Sequence, residues 1–333
     1  MGIPPLAEVR RLTEKKRDAW WTVLLVDPVA TPLVRWTAMW TRFTPNQITW
    51  AALFLGLGAA ACFAQGDWLW LVVGAGLYHL SFVLDCMDGK LARLTGQGTE
   101  FGGWLDYVFD RVRVLACAVC LMGGQYTRTG EVAYVWMALV VVFLDMLRYI
   151  DALQIFKVRH NMRKKILARV EATDAQGGAV ASGGAKPTAF MEDLLRENPN
   201  AEADEANADV GQEASPDKPK VVDLHREFKG RFPWYARLRD FLLRHRIRTH
   251  VISGIEFQMA VFIVAPLVDA VIPVTVAAGS MLLLFELAII YKLLLSTRDF
   301  ARTLDALGPA PVSIPAQSGR AAADSSAGAA AGR

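Results

Sequence analysis

Charge is what this sequence withholds, and it does so in blocks. Residues 43–66 contain no Asp, Glu, Lys or Arg, and neither do residues 68–84. Shorter uncharged runs recur at 114–127, 132–144, 257–268 and 270–285. The average is unremarkable, since 21% charged residues is near the roughly 25% of soluble domains, so placement decides. Crossing a bilayer takes about 20 mostly apolar residues in helical form. These runs exclude a soluble globular enzyme and predict an all-α polytopic membrane protein. Cysteine is also scarce: Cys62, Cys86, Cys117 and Cys120 all fall in apolar segments. Cys117-x-x-Cys120 has no second pair and no His partner, so it reads as small buried residues rather than a metal or redox motif. A net charge of +3 gives no argument for nucleic acid as a partner. No apolar core leads the chain, so no secretory leader is expected.

What is present organises into six membrane helices, at about 46–66, 68–87, 104–123, 131–153, 250–271 and 274–295. Trp40, Trp50, Trp68, Trp70 and Trp104 lie near span ends, where indole rings suit the membrane interface. The connections near 65–67, 124–131 and 269–274 hold one Lys or Arg between them, Arg128. Nearly all the other basic residues fall on the opposite side. The positive-inside rule then puts both termini and the 87–103 loop in the cytoplasm, with the protein in the cell inner or plasma membrane.

Residues 1–45 form a cytoplasmic juxtamembrane segment. Within it 29–41 places Val29, Leu33, Trp36 and Trp40 at helical spacing, as for an amphipathic helix lying on the surface. Thr44 is positioned to cap the first span and Pro45 to open it. The membrane domain is 46–156 plus 246–300, interrupted by a cytoplasmic loop, 157–245. That loop opens with a basic run and then carries 11 acidic and 2 basic residues over 171–217 amid Ala, Gly, Ser and Pro. Such composition predicts disorder over most of 171–222, and the Ala/Gly/Ser-rich tail, 301–333, reads the same way.

Ionisable residues inside a membrane are costly and usually functional. Asp85 and Asp88 lie three apart at the end of the second span, and Asp106 and Asp110 four apart at the start of the third. These spacings put each pair on one helix face. The short connection makes the two helices antiparallel neighbours, so all four carboxylates are expected to converge. Divalent cations would relieve their mutual repulsion, and all-oxygen ligation selects Mg²⁺ or Mn²⁺ over zinc. Gly89, Ala92 and Gly102 let a ligand approach the backbone, and Arg93 offers a fork of donors to a phosphate.

Written out, Asp85-x-x-Asp88-Gly89-x-x-Ala92-Arg93, eight residues, Gly102-x-x-x-Asp106-x-x-x-Asp110 resembles the signature of the CDP-alcohol phosphatidyltransferase family at every one of those positions. The resemblance covers about 30–156 and 246–300. It implies a six-helix membrane domain, usually a homodimer, with an amphipathic helix before the first span. The implied reaction, part of phospholipid biosynthesis, displaces CMP from a CDP-linked alcohol such as CDP-diacylglycerol by an acceptor hydroxyl. By the same resemblance, Asp85, Asp88, Asp106 and Asp110 would hold two divalent cations, and Asp110 would be the general base. Asp88, Gly89, Ala92, Arg93, Thr99 and Gly102 would form the CDP site.

The acceptor is less legible. Inositol phosphate or another polar alcohol is expected, and Arg111, Arg148, Lys157, Arg159 and His250 are candidate acceptor contacts. The Asp110-Arg111 pair looks like that of inositol-phosphate-using members. Against this, Asp145 and Arg148 would pair with each other, the basic run from Lys157 would follow topology, and Glu256 would cap or pack. Glu286 has no partner in sequence. The alternatives are a non-catalytic transporter or scaffold with a vestigial site, or an aspartate-rich membrane prenyltransferase.

Overall fold

The computed structural model describes residues 4–176, 188–191, 193 and 220–307. A short amphipathic helix, α1 (Leu6–Thr13), precedes α2 (Asp27–Trp40), which is entered through one wider turn at Thr22–Val26. On α2, Val29, Leu33, Trp36 and Trp40 are exposed along one side, while Ala30, Val34 and Thr37 are buried against the bundle. Next come α3 (Pro45–Phe63), α4 (Trp68–Thr95), α5 (Glu100–Thr129) and α6 (Ala133–Gln176). Thr44 closes a reciprocal cap at the start of α3: its hydroxyl accepts from the Gln47 amide, and the Gln47 side chain accepts from the Thr44 amide.

The chain then forms a short parallel pair, β1 (Thr188–Phe190) with β2 (Lys220–Val222), and two helices, α7 (Arg226–Arg231) and α8 (Pro233–Arg244). The last two helices are α9 (Gly254–Leu267) and α10 (Val271–Ala306). Pro266 of α9 has no N–H to give the preceding turn, and the winding widens just ahead of it, at Ala260–Val264.

Among the described residues, four helices are long and apolar enough to cross a membrane: α3, α4, α6 and α10. Of the six expected spans, the third falls in α5, whose first half carries Asp106, Asp110, Arg111 and Arg113. The fifth falls in α9, which is apolar but short. One continuous core runs through the bundle, with Phe63, Leu71, Tyr78, Leu121, Phe257 and Phe262 buried together. The five tryptophans assigned to span ends are all exposed. The four cysteines are free, with Cys62 and Cys117 buried.

One expectation changes here. The 157–245 segment is more structured than its composition suggests, since α6 runs on to Gln176 and residues 220–245 fold back onto the bundle. Ile166, Val170, Phe190, Val222 and Leu224 form a second small core there, packed against Phe300, Leu304 and Leu307. These few apolar residues, scattered along an otherwise polar stretch, escape a compositional reading. The remainder of the expected disorder, at 177–187, 194–219 and 308–333, lies outside the described residues.

Candidate functional site

The site is built where α4 ends and α5 begins. Gly96 takes a left-handed conformation (φ 69°) that stops α4 and turns the chain. Thr99 then caps α5, its hydroxyl accepting from the Gly102 amide at 3.0 Å. The turn returns α5 antiparallel to α4, so Asp85, Asp88, Asp106 and Asp110 line one cavity of about 430 Å³. From α3, Thr49 donates to Asp88 Oδ2 at 2.5 Å, holding that buried carboxylate in place.

The four carboxylates gather around this one cavity, as expected, without closing on a common point. Among the described residues, no group of three His, Cys, Asp or Glu side chains stands close enough to hold a metal ion. Asp85 and Asp110 are instead bridged by Arg113, which donates to Asp85 Oδ1 at 3.2 Å and also to Asp110 Oδ1. Arg113 is only 3% exposed and reaches this position because Gly56 of α3 leaves room. A Cβ at Gly56 would stand 2.6 Å from the Arg113 side chain. Sequence reasoning missed this residue. The available signal was its place three residues beyond Asp110, on the same helix face.

The donor set still suits a hard divalent cation. Asp106 Oδ1 is buried with no hydrogen-bond partner, and an orphaned carboxylate oxygen in an acid-lined cavity calls for positive charge.

A second cavity of about 280 Å³ adjoins the first and shares Asp88, Gly89, Arg93 and Asp106 with it. Asp88, Gly89, Ala92, Arg93, Thr99 and Gly102, the six residues that the resemblance marks for CDP, all line it, together with Asn46. A Cβ at Gly102 would come within 2.9 Å of Asn46 Oδ1, so any side chain there narrows the space.

The acceptor candidates divide. Arg111 and Arg148 line the carboxylate cavity, along with Lys15 and Arg248. Arg159 and His250 line two further cavities, one of which Arg148 lines as well, and Lys157 lines none of those described. The expected Asp145–Arg148 pair does not form. Asp145 ion-pairs with Arg111 of α5 and accepts from Gln258 at 2.7 Å, while Arg148 turns to Glu286 of α10 at 2.8 Å. Different helices face the two residues, and each takes a partner across an interface. Glu286 thereby gains the partner that the sequence did not supply. Glu256 caps α9, accepting from the Ser253 amide at 3.1 Å.

The N-terminal segment also reaches the site, which the sequence did not foretell. Lys15, Asp18 and Thr22 line the carboxylate cavity, and Arg93 Nε donates to the Thr13 carbonyl at 3.0 Å. Lys90, beside the motif, donates to Asp27 at 2.5 Å and to Thr31 at 2.9 Å, with both ion-pair partners buried, and so fixes α2 to α4. Asp18 exchanges backbone hydrogen bonds with Arg246 and Arg248, tying the segment to the connection ahead of α9.

Fold and site together define a helical membrane protein with a carboxylate-lined cavity next to a glycine-lined one. The family model for CDP-alcohol phosphatidyltransferase matches residues 42–181, so this stretch is a CDP-alcohol phosphatidyltransferase domain. That family is generally divalent-metal dependent. The chain is 34% identical over 90 residues to the phosphatidylinositol phosphate synthase of Corynebacterium glutamicum, covering 27% of this chain and 37% of that protein. It is 35% identical over 101 residues to the protein of the same name from Cutibacterium acnes, covering 30% and 44%. A shorter match, 41% over 51 residues, is to the CDP-diacylglycerol–glycerol-3-phosphate 3-phosphatidyltransferase of Haemophilus influenzae, covering 15% and 28%. The matched stretches span less than half the length of each of these relatives.

Proposed function

We propose that this protein is an integral-membrane CDP-alcohol phosphotransferase of phospholipid biosynthesis, using CDP-diacylglycerol as donor and a phosphorylated polar alcohol, inositol phosphate first among them, as acceptor. The observation that carries this reading is the shared wall of the two cavities, where Asp88, Gly89, Arg93 and Asp106 serve both. A diphosphate lying across that wall would have its nucleoside in the glycine-lined cavity and its reacting phosphorus among the carboxylates.

In this reading Asp85, Asp88, Asp106 and Asp110 hold two Mg²⁺ or Mn²⁺ ions. When bound, such ions neutralise the diphosphate and stabilise charge on departing CMP. The chain's own residues do the rest. Gly89, Ala92, Thr99 and Gly102 leave room for the cytidine, and Arg93 directs its guanidinium to a phosphate. Asp110 Oδ1 accepts from Arg113, leaving Oδ2 to take the acceptor hydroxyl proton. The acceptor oxygen then bonds to the β-phosphorus, the bond to the CMP oxygen breaks, and CMP leaves. Arg111, pinned by Asp145 and lying 5.4 Å from the Tyr149 ring centroid, and Arg148 supply positive charge for an anionic acceptor. Two named relatives being phosphatidylinositol phosphate synthases favours inositol phosphate over other alcohols.

The same reading takes α5 and α9 as the third and fifth of six spans. At 1.5 Å per residue, the 30 residues of α5 reach about 45 Å, enough for a bilayer. The exposed apolar side of α2 suits a surface-lying helix, and the basic connections favour cytoplasmic termini and active site. A homodimer is the assembly the family resemblance implies, and chemical crosslinking in native membranes tests it.

The deciding experiment is CMP release by purified protein in detergent, with CDP-diacylglycerol, Mg²⁺ or Mn²⁺, and inositol phosphate, inositol, glycerol phosphate or serine in turn. Release that needs inositol phosphate and is lost in Asp110→Asn is the expected result. Release with another alcohol would correct the acceptor. No release with any donor and acceptor pair would return the transporter, scaffold and prenyltransferase readings.

A further inference from the structure

One wall of the carboxylate cavity comes from residues 15–22, a stretch of chain that precedes the matched domain. We infer, on the reading of the two cavities proposed above, that Lys15 is a phosphate-binding residue of this site, supplied from outside residues 42–181.

The charges around the cavity single Lys15 out. Six cations line it, and four of them are engaged: Lys90 with Asp27, Arg111 with Asp145, Arg148 with Glu286 and Arg248 with Glu256. Among the described residues, the other two, Lys15 and Arg93, have no carboxylate partner. The acids nearest to Lys15 in sequence are occupied. Glu14 holds Arg246 at 2.7 Å and the Thr31 hydroxyl at 3.0 Å, and Asp18 accepts from the Ala19 amide at 2.8 Å.

The backbone that carries Lys15 is fixed, although its ammonium is not. Just before it, the buried Thr13 accepts from Arg93 Nε at 3.0 Å through its carbonyl. The Lys15 carbonyl accepts from Arg246 at 3.0 Å. Beyond it, Asp18 is bonded to Arg246 and Arg248 through the backbone, and the Trp20 indole donates to the Val251 carbonyl at 3.0 Å. The stretch is thus tied to α4 on one side and to the connection ahead of α9 on the other. Holding a cation at a site in advance lowers the cost of ordering it when an anion binds.

Two further observations point to a polar ligand at this wall. Thr22 lines the same cavity, is only 3% exposed, and its hydroxyl has no hydrogen-bond partner. A buried hydroxyl left unsatisfied is costly, and a polar ligand would offset that cost. Arg93 spends its Nε on Thr13, which leaves its two terminal nitrogens for a phosphate. A phosphate in the cavity therefore meets a guanidinium from the matched domain and an ammonium from the N-terminal segment.

Two substrate groups share that chemistry, the diphosphate of the CDP-linked donor and the phosphate of the acceptor. Equilibrium binding to the purified full chain in detergent with Mn²⁺ separates them, with CDP as the probe in one arm and inositol phosphate in the other. Lys15→Met removes the charge and keeps most of the side-chain length. Binding should weaken about tenfold in at least one arm, and Lys15→Arg should bind within about threefold of wild type. Weakening with CDP assigns Lys15 to the donor, weakening with inositol phosphate to the acceptor, and weakening with both to the space where they meet. Lys16→Met is the control for loss of one positive charge, because Lys16 lines a neighbouring cavity of about 570 Å³ that shares Arg248 with the first. It should bind both probes as wild type does.

Unchanged binding by Lys15→Met in both arms overturns the inference. So does an equal loss in Lys16→Met or Lys15→Arg, a thermal midpoint that falls together with binding in Lys15→Met, or a wild type that binds neither probe. CMP release accompanied by unchanged probe affinity in Lys15→Met would remove this contact and leave the proposed reaction standing. Binding that depends on Lys15 without CMP release would do the reverse.

Discussion

The two neighbouring cavities that share Arg248 differ most in charge balance. Among the described residues, the first is lined by six acidic and six basic side chains, and the second by one acidic and seven basic. In the first, the charges hold one another: Arg113 bridges Asp85 and Asp110, Arg111 meets Asp145, and Lys90 meets Asp27. Such a site stays assembled without a ligand and is suited to guiding proton and phosphoryl movement. In the second, Lys229 meets Asp223, Arg239 meets Asp240 and Arg248 meets Glu256.

The comparison breaks most decisively at Asp110. Asp110→Asn should lower CMP release about 10³-fold with yield and thermal stability retained, because the amide cannot take the acceptor proton. Near-normal rates would remove Asp110 as the base. Chelation by EDTA should take activity to background, and Mg²⁺ or Mn²⁺ should restore it. Activity that survives in metal-free buffer would overturn the two-ion reading.

Stability offers the next test. Asp27→Ala leaves Lys90 buried without its carboxylate, which costs about 3–5 kcal/mol for a pair of this kind. The readout is the midpoint of thermal unfolding, which should fall by several degrees; an unchanged midpoint would mean that α2 is not held by this pair. A smaller effect is expected at Gly102→Ala, where the new methyl crowds Asn46 Oδ1. Donor KM should rise about fivefold, roughly 1 kcal/mol, with kcat nearly retained. A fall in kcat alone would argue against a donor-binding role.

The smallest effect on turnover belongs to Ile166→Ala, in the core beneath the second cavity. It should loosen residues 220–244 by about 2–5 kcal/mol, read as faster amide hydrogen exchange there. CMP release should stay within about twofold of wild type. Equal loss of both would show that the two cavities are one mechanical unit.

Much of the first cavity was legible in advance because its residues are close in sequence. Asp85 to Asp110 lie on two helices joined by one short turn, so helical spacing and a single reversal suffice to gather them. Its pairing was not legible. Arg113 bridging two aspartates depends on the space at Gly56, and Arg148 choosing Glu286 over Asp145 depends on which helix packs where. The second cavity was invisible for a stronger form of the same reason. It joins Lys16, Arg159, Arg239 and Lys292, residues from four distant stretches that no periodicity connects.

By itself the sequence determined the helical membrane character, the acidic motif with its glycines, and the capped entry of α3, since hydropathy and helical spacing are local properties. Only the tertiary structure decided which charges pair, that the N-terminal segment lines the site, and that residues 220–245 fold back onto the bundle. Those outcomes depend on distances between helices, and such distances are set by packing of the whole chain rather than by the order of its residues.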